Sequence, residues 1–246
     1  RLGLNVVAGW NKPEYDAFGI DLPGDHSDRY AMAQEWFDYV QKLWTADTAF
    51  DWDGNFYQGK GVYSLPHPVQ PKMPIINAAG SEEGRVFAMR NADFLFTPVF
   101  DFDQAKATAA DITERAASVG RKVDVLTLCT VVCRPTQQEA EDYLNWDAAE
   151  QADWEAVDDL MTLQGMHAQS FTPEALALYR DRMAAGHGGF PLVGTPDTIA
   201  DLLEKLSVAG IAGTTLAFVD YAKEFPYFRQ EVLPRLEAKG LRQPVN

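Results

Sequence analysis

Three short segments of the chain combine side chains that can bind and orient a polar ligand. The first is Asn5-Val-Val-Ala-Gly-Trp-Asn-Lys-Pro-Glu14, where an apolar run enters a Gly-kinked turn bearing an indole and a carboxylate. Asn5 places an amide among Leu2, Leu4, Val6 and Val7, and a packed strand accepts such a group only with a backbone or ligand partner. Trp10 and Glu14 can hold a polar heterocycle between an aromatic face and an acceptor, although Trp10 equally suits a core and Glu14 a helix start. The second segment, Asp28-Arg-Tyr30, offers a guanidinium and a phenol to an anionic group; the plainer alternative pairs Arg29 with Asp25 or Asp28. The third, Ile75-Ile-Asn-Ala-Ala-Gly-Ser-Glu-Glu-Gly84, ends a strand in small residues and opens a helix at Ser81. That arrangement lets a phosphate approach the backbone, or makes Ser81 a simple N-cap.

Other chemistries find no support in the residue pattern. GxSxG, a Walker loop and a GxGxxG after a strand are all missing, which disfavours acyl transfer and P-loop chemistry. The four histidines, His26, His67, His167 and His187, have no ligand spacing, so no metal site is expected. Cys129 and Cys133 lie in a β-type run where four residues span roughly 13 Å. A disulfide needs Cα atoms closer than about 7 Å, so the two read as small buried hydrophobes. His187 sits in the glycine-rich segment Ala185-Gly-His-Gly-Gly-Phe-Pro191, which reads as a flexible loop able to close over a site.

These segments need a scaffold, and the remaining sequence supplies an α/β rhythm. Tyr30, Ala33, Phe37, Val40 and Trp44 recur at helical spacing, so a helix is predicted from Asp28 to Trp44. Phe50 to Tyr63 reads as a hairpin about Asp53-Gly54, followed by the proline-rich connector Leu65 to Pro74. Strands are then predicted at Ile75–Ala79, Asp93–Phe96 and Val123–Val132, each followed by a helix: Ser81–Asn91, Phe102–Val119 and Thr136–Trp146. Gln151 to Gly186 reads as further helix with a break at Phe171-Thr-Pro-Glu174. A helix opening at Val193-Gly-Thr-Pro-Asp-Thr198, a strand at Gly213–Phe218 and a helix at Glu224–Lys239 complete the pattern.

That is five βα units, too few to close a (β/α)8 barrel of about 250 residues. A start on a strand without methionine suggests the C-terminal two-thirds of a longer barrel. The expectation is one domain over residues 1–246, with a hairpin insertion at about 50–63 and a helical and loop insertion at about 151–192. With 21 Lys and Arg against 36 Asp and Glu, the net charge of −15 disfavours nucleic acid and anionic membrane surfaces. No apolar run near about 18 residues and no leader pattern are present, so a cytoplasmic location is expected.

In order along the chain, the opening motif, Asp28-Arg-Tyr30, the Phe50–Tyr63 hairpin, Ala79-Gly-Ser81 and Val193-Gly-Thr-Pro196 resemble the bacterial-luciferase-like, two-component flavin-dependent monooxygenases. The opening motif is most similar to the pyrimidine monooxygenase branch. The resemblance implies an α/β fold, a (β/α)8 TIM barrel with insertions whose first about 100 residues precede Arg1. It implies FMN at the C-terminal strand ends, with Asn5, Glu14, Arg29, Tyr30 and Ser81 on the flavin or its phosphate. Asn5, Trp10 and Glu14 would act in oxygen activation and substrate orientation. Alkanesulfonate monooxygenases carry Arg and His where this chain has Leu128 and Thr130, which points to a neutral substrate. The implied activity is oxidation of a small organic molecule by reduced FMN and O2, including C–N cleavage of a cyclic amide such as a pyrimidine. A separate NAD(P)H:flavin reductase would supply the cofactor, and a homo-oligomer is expected. Two alternatives stay open: a deazaflavin (F420)-dependent oxidoreductase on the same fold, and a non-catalytic flavin-binding protein.

Overall fold

The computed structural model describes residues 2–165 and 172–244. Residues 166–171, which include His167 and part of the predicted Gln151–Gly186 helical stretch, lie outside the described residues. The chain divides into two compact units, one of residues 1–95 and 115–123, the other of residues 96–114 and 124–246.

The first unit opens with β1 (Leu4–Val6), α1 (Lys12–Ala17) and α2 (His26–Thr45). Asp25 caps α2 by accepting from the Ser27 amide at 2.7 Å. The predicted hairpin is present as antiparallel β2 (Phe50–Asp53) and β3 (Gln58–Val62). The Glu35 carboxylate on α2 ties it down, accepting from the Asn55 and Tyr57 amides at 2.9 and 2.8 Å. β4 (Ile75–Ala78) lies parallel to β1 in the register Leu4↔Ile75, Asn5↔Ile76, Val6↔Asn77. α3 (Glu82–Asn91) follows, its Phe87 and Ala88 buried beside Phe37 of α2. β5 (Phe94–Phe96) and α4 (Phe102–Ser118) are divided between the two units.

The second unit centres on β6 (Asp124–Cys133), then α5 (Gln137–Asn145), a π-helical turn at Trp146–Glu150, α6 (Trp154–Leu163) and α7 (Pro173–Gly186). β7 (Phe190–Gly194), α8 (Pro196–Val208), β8 (Ile211–Ala217), α9 (Tyr221–Glu231) and α10 (Leu233–Ala238) complete it. β7 and β8 both run parallel to β6. Thr136 and Glu139 form a capping box at the start of α5. Thr172 and Thr195 likewise cap the Pro-started α7 and α8. Cys129 and Cys133 are free and buried, and burial pushes both thiols up to about 11.

Three expectations need correction. Ala185–Pro191 is not a flexible loop: α7 runs to Gly186, His187 turns left-handed at φ 55°, and Gly188, Gly189 and Phe190 are buried. Gly188 donates to the Arg182 carbonyl at 3.0 Å, so the glycines close a helix end and leave no lid. β7 is therefore a strand that the sequence pattern did not predict. Pro191 hid it, because proline is depleted in strands except where its missing N–H needs no partner. The Glu224–Lys239 helix is two helices meeting at Val232, since Pro234 in the first turn of the second cannot continue the ladder of the first.

Candidate functional site

Parallel strands β1 and β4 end side by side, and the chain leaves each through small residues, Val7-Ala-Gly9 and Ala79-Gly80. A cavity of 180 Å³ opens between these exits. Trp10, Arg29, Tyr30 and Ser81 all line it, so four side chains expected at a site converge at one place from well-separated parts of the sequence.

Each is held by its own element. Ser81 caps α3, its hydroxyl accepting from the Gly84 amide at 3.2 Å, which brings the N-terminus of that helix to the cavity. Arg29 leans from the first turn of α2, donating through Nη1 to the Gly9 carbonyl at 3.1 Å and through Nε to the Asp25 main-chain carbonyl at 3.4 Å. Gly9 adopts φ 91°, and a Cβ there would meet the Tyr15 hydroxyl at 2.5 Å, so glycine alone fits this turn. Tyr30 packs against Phe87 with its hydroxyl over Gly84, where any Cβ would collide with the phenol. Burial raises the Tyr30 phenol above its ordinary value, outweighing the opposing hydrogen bonds from Asn77 and Ser81, so it stays a neutral donor.

Two expected residues stand apart from this lining. Asn5 points from β1 on the same face as Val7, one pleat earlier, and is exposed. Asn5 is therefore not a buried amide in need of a partner. Glu14 is exposed in the first turn of α1, its amide donating to the Asn11 carbonyl at 3.1 Å. Trp10 lines the cavity while remaining 42 % exposed.

The buried amide is Asn77 on β4. It is fully buried on β4 opposite Val6, and its Nδ2 donates to the Val6 carbonyl at 2.7 Å. The signal was available: a polar residue inside Ile75-Ile-Asn-Ala78 is the same anomaly that drew attention to Asn5.

The second unit holds a larger pocket of 460 Å³, walled by Leu144, Ala148, Ala149, Trp154, Leu178 and Val193. Thr130 borders it, but its hydroxyl donates to the Gly186 carbonyl at 3.2 Å. The Arg182 guanidinium is occupied by the Val99 and Phe100 carbonyls at 3.1 and 2.8 Å.

Comparison with known proteins agrees with the fold. The family model of the luciferase-like monooxygenases matches residues 1–213. An FMNH(2)-dependent dimethylsulfone monooxygenase of Pseudomonas putida is 31% identical over 242 residues, covering 95% of this chain and 65% of its own length. Pyrimidine monooxygenase RutA of Yersinia enterocolitica is 30% identical over 248 residues, covering 98% of this chain and 66% of that protein. The crystal structure of DmoA from Hyphomicrobium sulfonivorans superposes with a TM-score of 0.83 at 22% identity, over 99% of this chain and 62% of the other. The chain thus spans about two-thirds of the length of these relatives, and its α/β fold is of the TIM-barrel type they share.

Proposed function

The chain belongs to the luciferase-like monooxygenase family, and from that premise we propose that it is the flavin-binding part of a reduced-FMN-dependent monooxygenase acting on a small neutral organic molecule. The observation that carries this reading is the convergence of Trp10, Arg29, Tyr30 and Ser81 on one cavity at the ends of two parallel strands.

The residues present fit the cofactor's phosphate. The cavity has the size of a phosphoryl group and its ester, a helix N-terminus faces it, and its side-chain donors are a guanidinium, a phenol and a hydroxyl. Ser81 and the α3 amides would hold the phosphate oxygens, Arg29 would balance their charge, and neutral Tyr30 would donate a further hydrogen bond. Reduced FMN, when bound, supplies the activation of O2 and the transfer of one oxygen atom to the substrate. Trp10 would flank the ring system, Asn5 would line the oxygen side of the same strand face, and Glu14 would accept a hydrogen bond from an amide-like substrate. A separate flavin reductase would deliver the cofactor.

For the substrate, the opening motif favours a cyclic amide, while the dimethylsulfone and pyrimidine relatives match at nearly equal identity and support a small sulfone as the second reading. Leu128 and the internally bonded Thr130 leave that strand without the charge a sulfonate would need. An oxygen-uptake screen with photoreduced FMN against cyclic amides, sulfones, thioethers and sulfonates tests the proposal. Substrate-dependent uptake with an amide or sulfone is expected. Indifference to oxygen together with hydride transfer from reduced F420 would replace it with the deazaflavin reading, and tight flavin binding without turnover would replace it with the binding-protein reading.

A further inference from the structure

The 460 Å³ pocket of the second unit has small-molecule size, inside the range of about 300 to 1,000 Å³ usual for such sites. At about 30 Å³ per water it offers the bulk of roughly fifteen waters, well beyond a dimethylsulfone. Part of its apolar wall, Ala148 and Ala149, belongs to the π-helical turn Trp146–Glu150. The Gln151 amide closes that turn on the Trp146 carbonyl at 3.0 Å, a distortion frequent at functional sites. β6 and the exit of α7 meet closely at the same pocket: a Cβ on Gly189 would stand 2.6 Å from the Thr130 hydroxyl oxygen.

The polar groups of the lining sort by charge. Its donors are engaged: Thr130 on the Gly186 carbonyl, Asn145 Nδ2 on Glu150 at 2.8 Å, and Arg182 on the Val99 and Phe100 carbonyls. Its other ionisable groups are the carboxylates of Glu141 and Asp181. Glu141 accepts from Gln137 at 2.8 Å, and a carboxylate has further acceptor sites beyond one such bond. Arg180, the cation acting on Asp181, is itself held by Asp158 at 2.6 and 2.9 Å with its guanidinium over the Trp154 ring. Residues 135–179, which supply α5, the π-helical turn and α6, carry ten Asp and Glu and no Lys or Arg. The charge balance around the pocket is therefore negative.

We propose that this pocket binds an apolar amine, its hydrocarbon body against the Leu144, Trp154 and Leu178 wall and its ammonium at the Glu141 and Asp181 carboxylates. The inference stands on the second unit alone and does not depend on the phosphate reading of the cradle. A hydrocarbon body gains from leaving water whatever its head, so the carboxylates decide which head is preferred. An ammonium of the lysine type is charged at pH 7, whereas a carboxylate head on the same body would meet like charge.

Titration of 1-octylamine, 1-octanol and octanoate, each below its micelle concentration, into the parent at pH 7 tests this by calorimetry and tryptophan fluorescence. The amine should bind about 3- to 10-fold tighter than the alcohol, and octanoate more weakly than either. Glu141→Gln/Asp181→Asn should bring amine and alcohol together while the affinity for the alcohol stays as in the parent. Ala149→Phe, which fills the pocket, should remove binding of all three. If that variant does not fold, Leu178→Lys, at a position 45% exposed, should reverse the ranking of amine and octanoate. A fluorescence response lost in Trp154→Phe would place the ligand at this wall. No binding of the amine, or equal affinity for the three heads, would overturn the proposal. A preference for the amine that survives the double substitution would also overturn it, tracing the effect to the overall charge of −15. So would binding undiminished in folded Ala149→Phe, which would put the ligand elsewhere.

Discussion

The cradle of the first unit and the pocket of the second differ in which polar groups they gather. The pocket is the larger, 460 Å³ against 180 Å³, yet its Thr130 and Arg182 are committed to the carbonyls of Gly186, Val99 and Phe100. In the cradle Arg29, Tyr30 and the N-cap Ser81 of α3 line one opening with Gly9 and Gly80. Volume does not favour the cradle. What singles out the cradle is the convergence of a guanidinium, a phenol and a helix N-terminus on one small opening, the combination that an anion needs.

The largest effect expected from this contrast falls on stability alone. Leu192 of β7 is fully buried, and Leu192→Ala should cost about 2–5 kcal/mol in denaturant unfolding. Where the variant is folded, its affinity for reduced FMN should equal that of the parent; a matching affinity loss would show that the second unit takes part in the cradle. Next comes Arg29→Ala, which removes a charge-assisted contact and should weaken reduced FMN by about 10- to 100-fold, or about 1.5–3 kcal/mol. Leu144→Ala in the apolar pocket should leave that affinity within about twofold, and the reverse ranking would exchange the roles of the two regions.

A finer separation uses two N-caps of the same chemistry. Thr136→Ala and Ser81→Ala each remove a hydroxyl that accepts from a helix amide and should each cost about 1 kcal/mol of stability. Only Ser81→Ala should also weaken FMN, as isothermal titration of both variants would show. The smallest effect concerns pH. Asp93 is partly buried, which opposes its ionisation, but Lys72, the Ile75 amide and Arg121 prevail and hold its carboxyl below the ordinary value of 3.8. Its stabilising contribution is therefore present above that value and fades as pH falls through the lower, folded-state pKa. Thermal melts from pH 6 down to about pH 3 should show a steeper loss for the parent than for Asp93→Asn. Parallel curves would mean that Asp93 titrates alike in the folded and unfolded chains.

Much of this organisation was legible in the sequence because local signals agreed with the fold. Thr136, Thr172 and Thr195 stand at helix starts, two of them before a proline, and each caps its helix. The cradle was legible for the same reason: Ser81 after small residues and Arg29-Tyr30 at a helix start are short-range patterns. What escaped depends on partners distant in sequence. β7 is a strand because β6 pairs with it, which Gly189 and Pro191 conceal locally. Asn5 and Asn77 are both amides in apolar strands, and nothing local tells which one burial will claim. The parallel pairing decides it by placing Asn77 opposite buried Val6 and Asn5 on the other face.

The central claim is that Ser81, Arg29 and Tyr30 hold a phosphate. Anaerobic titration of reduced FMN and reduced riboflavin, identical except for that phosphate, into the parent and the Arg29→Ala/Ser81→Ala double variant tests it most directly. The account predicts that the parent prefers FMN by at least about 10-fold and that the preference collapses in the double variant while riboflavin affinity barely changes. Equal affinity of the parent for the two flavins, or a preference for FMN that survives both substitutions, would contradict it.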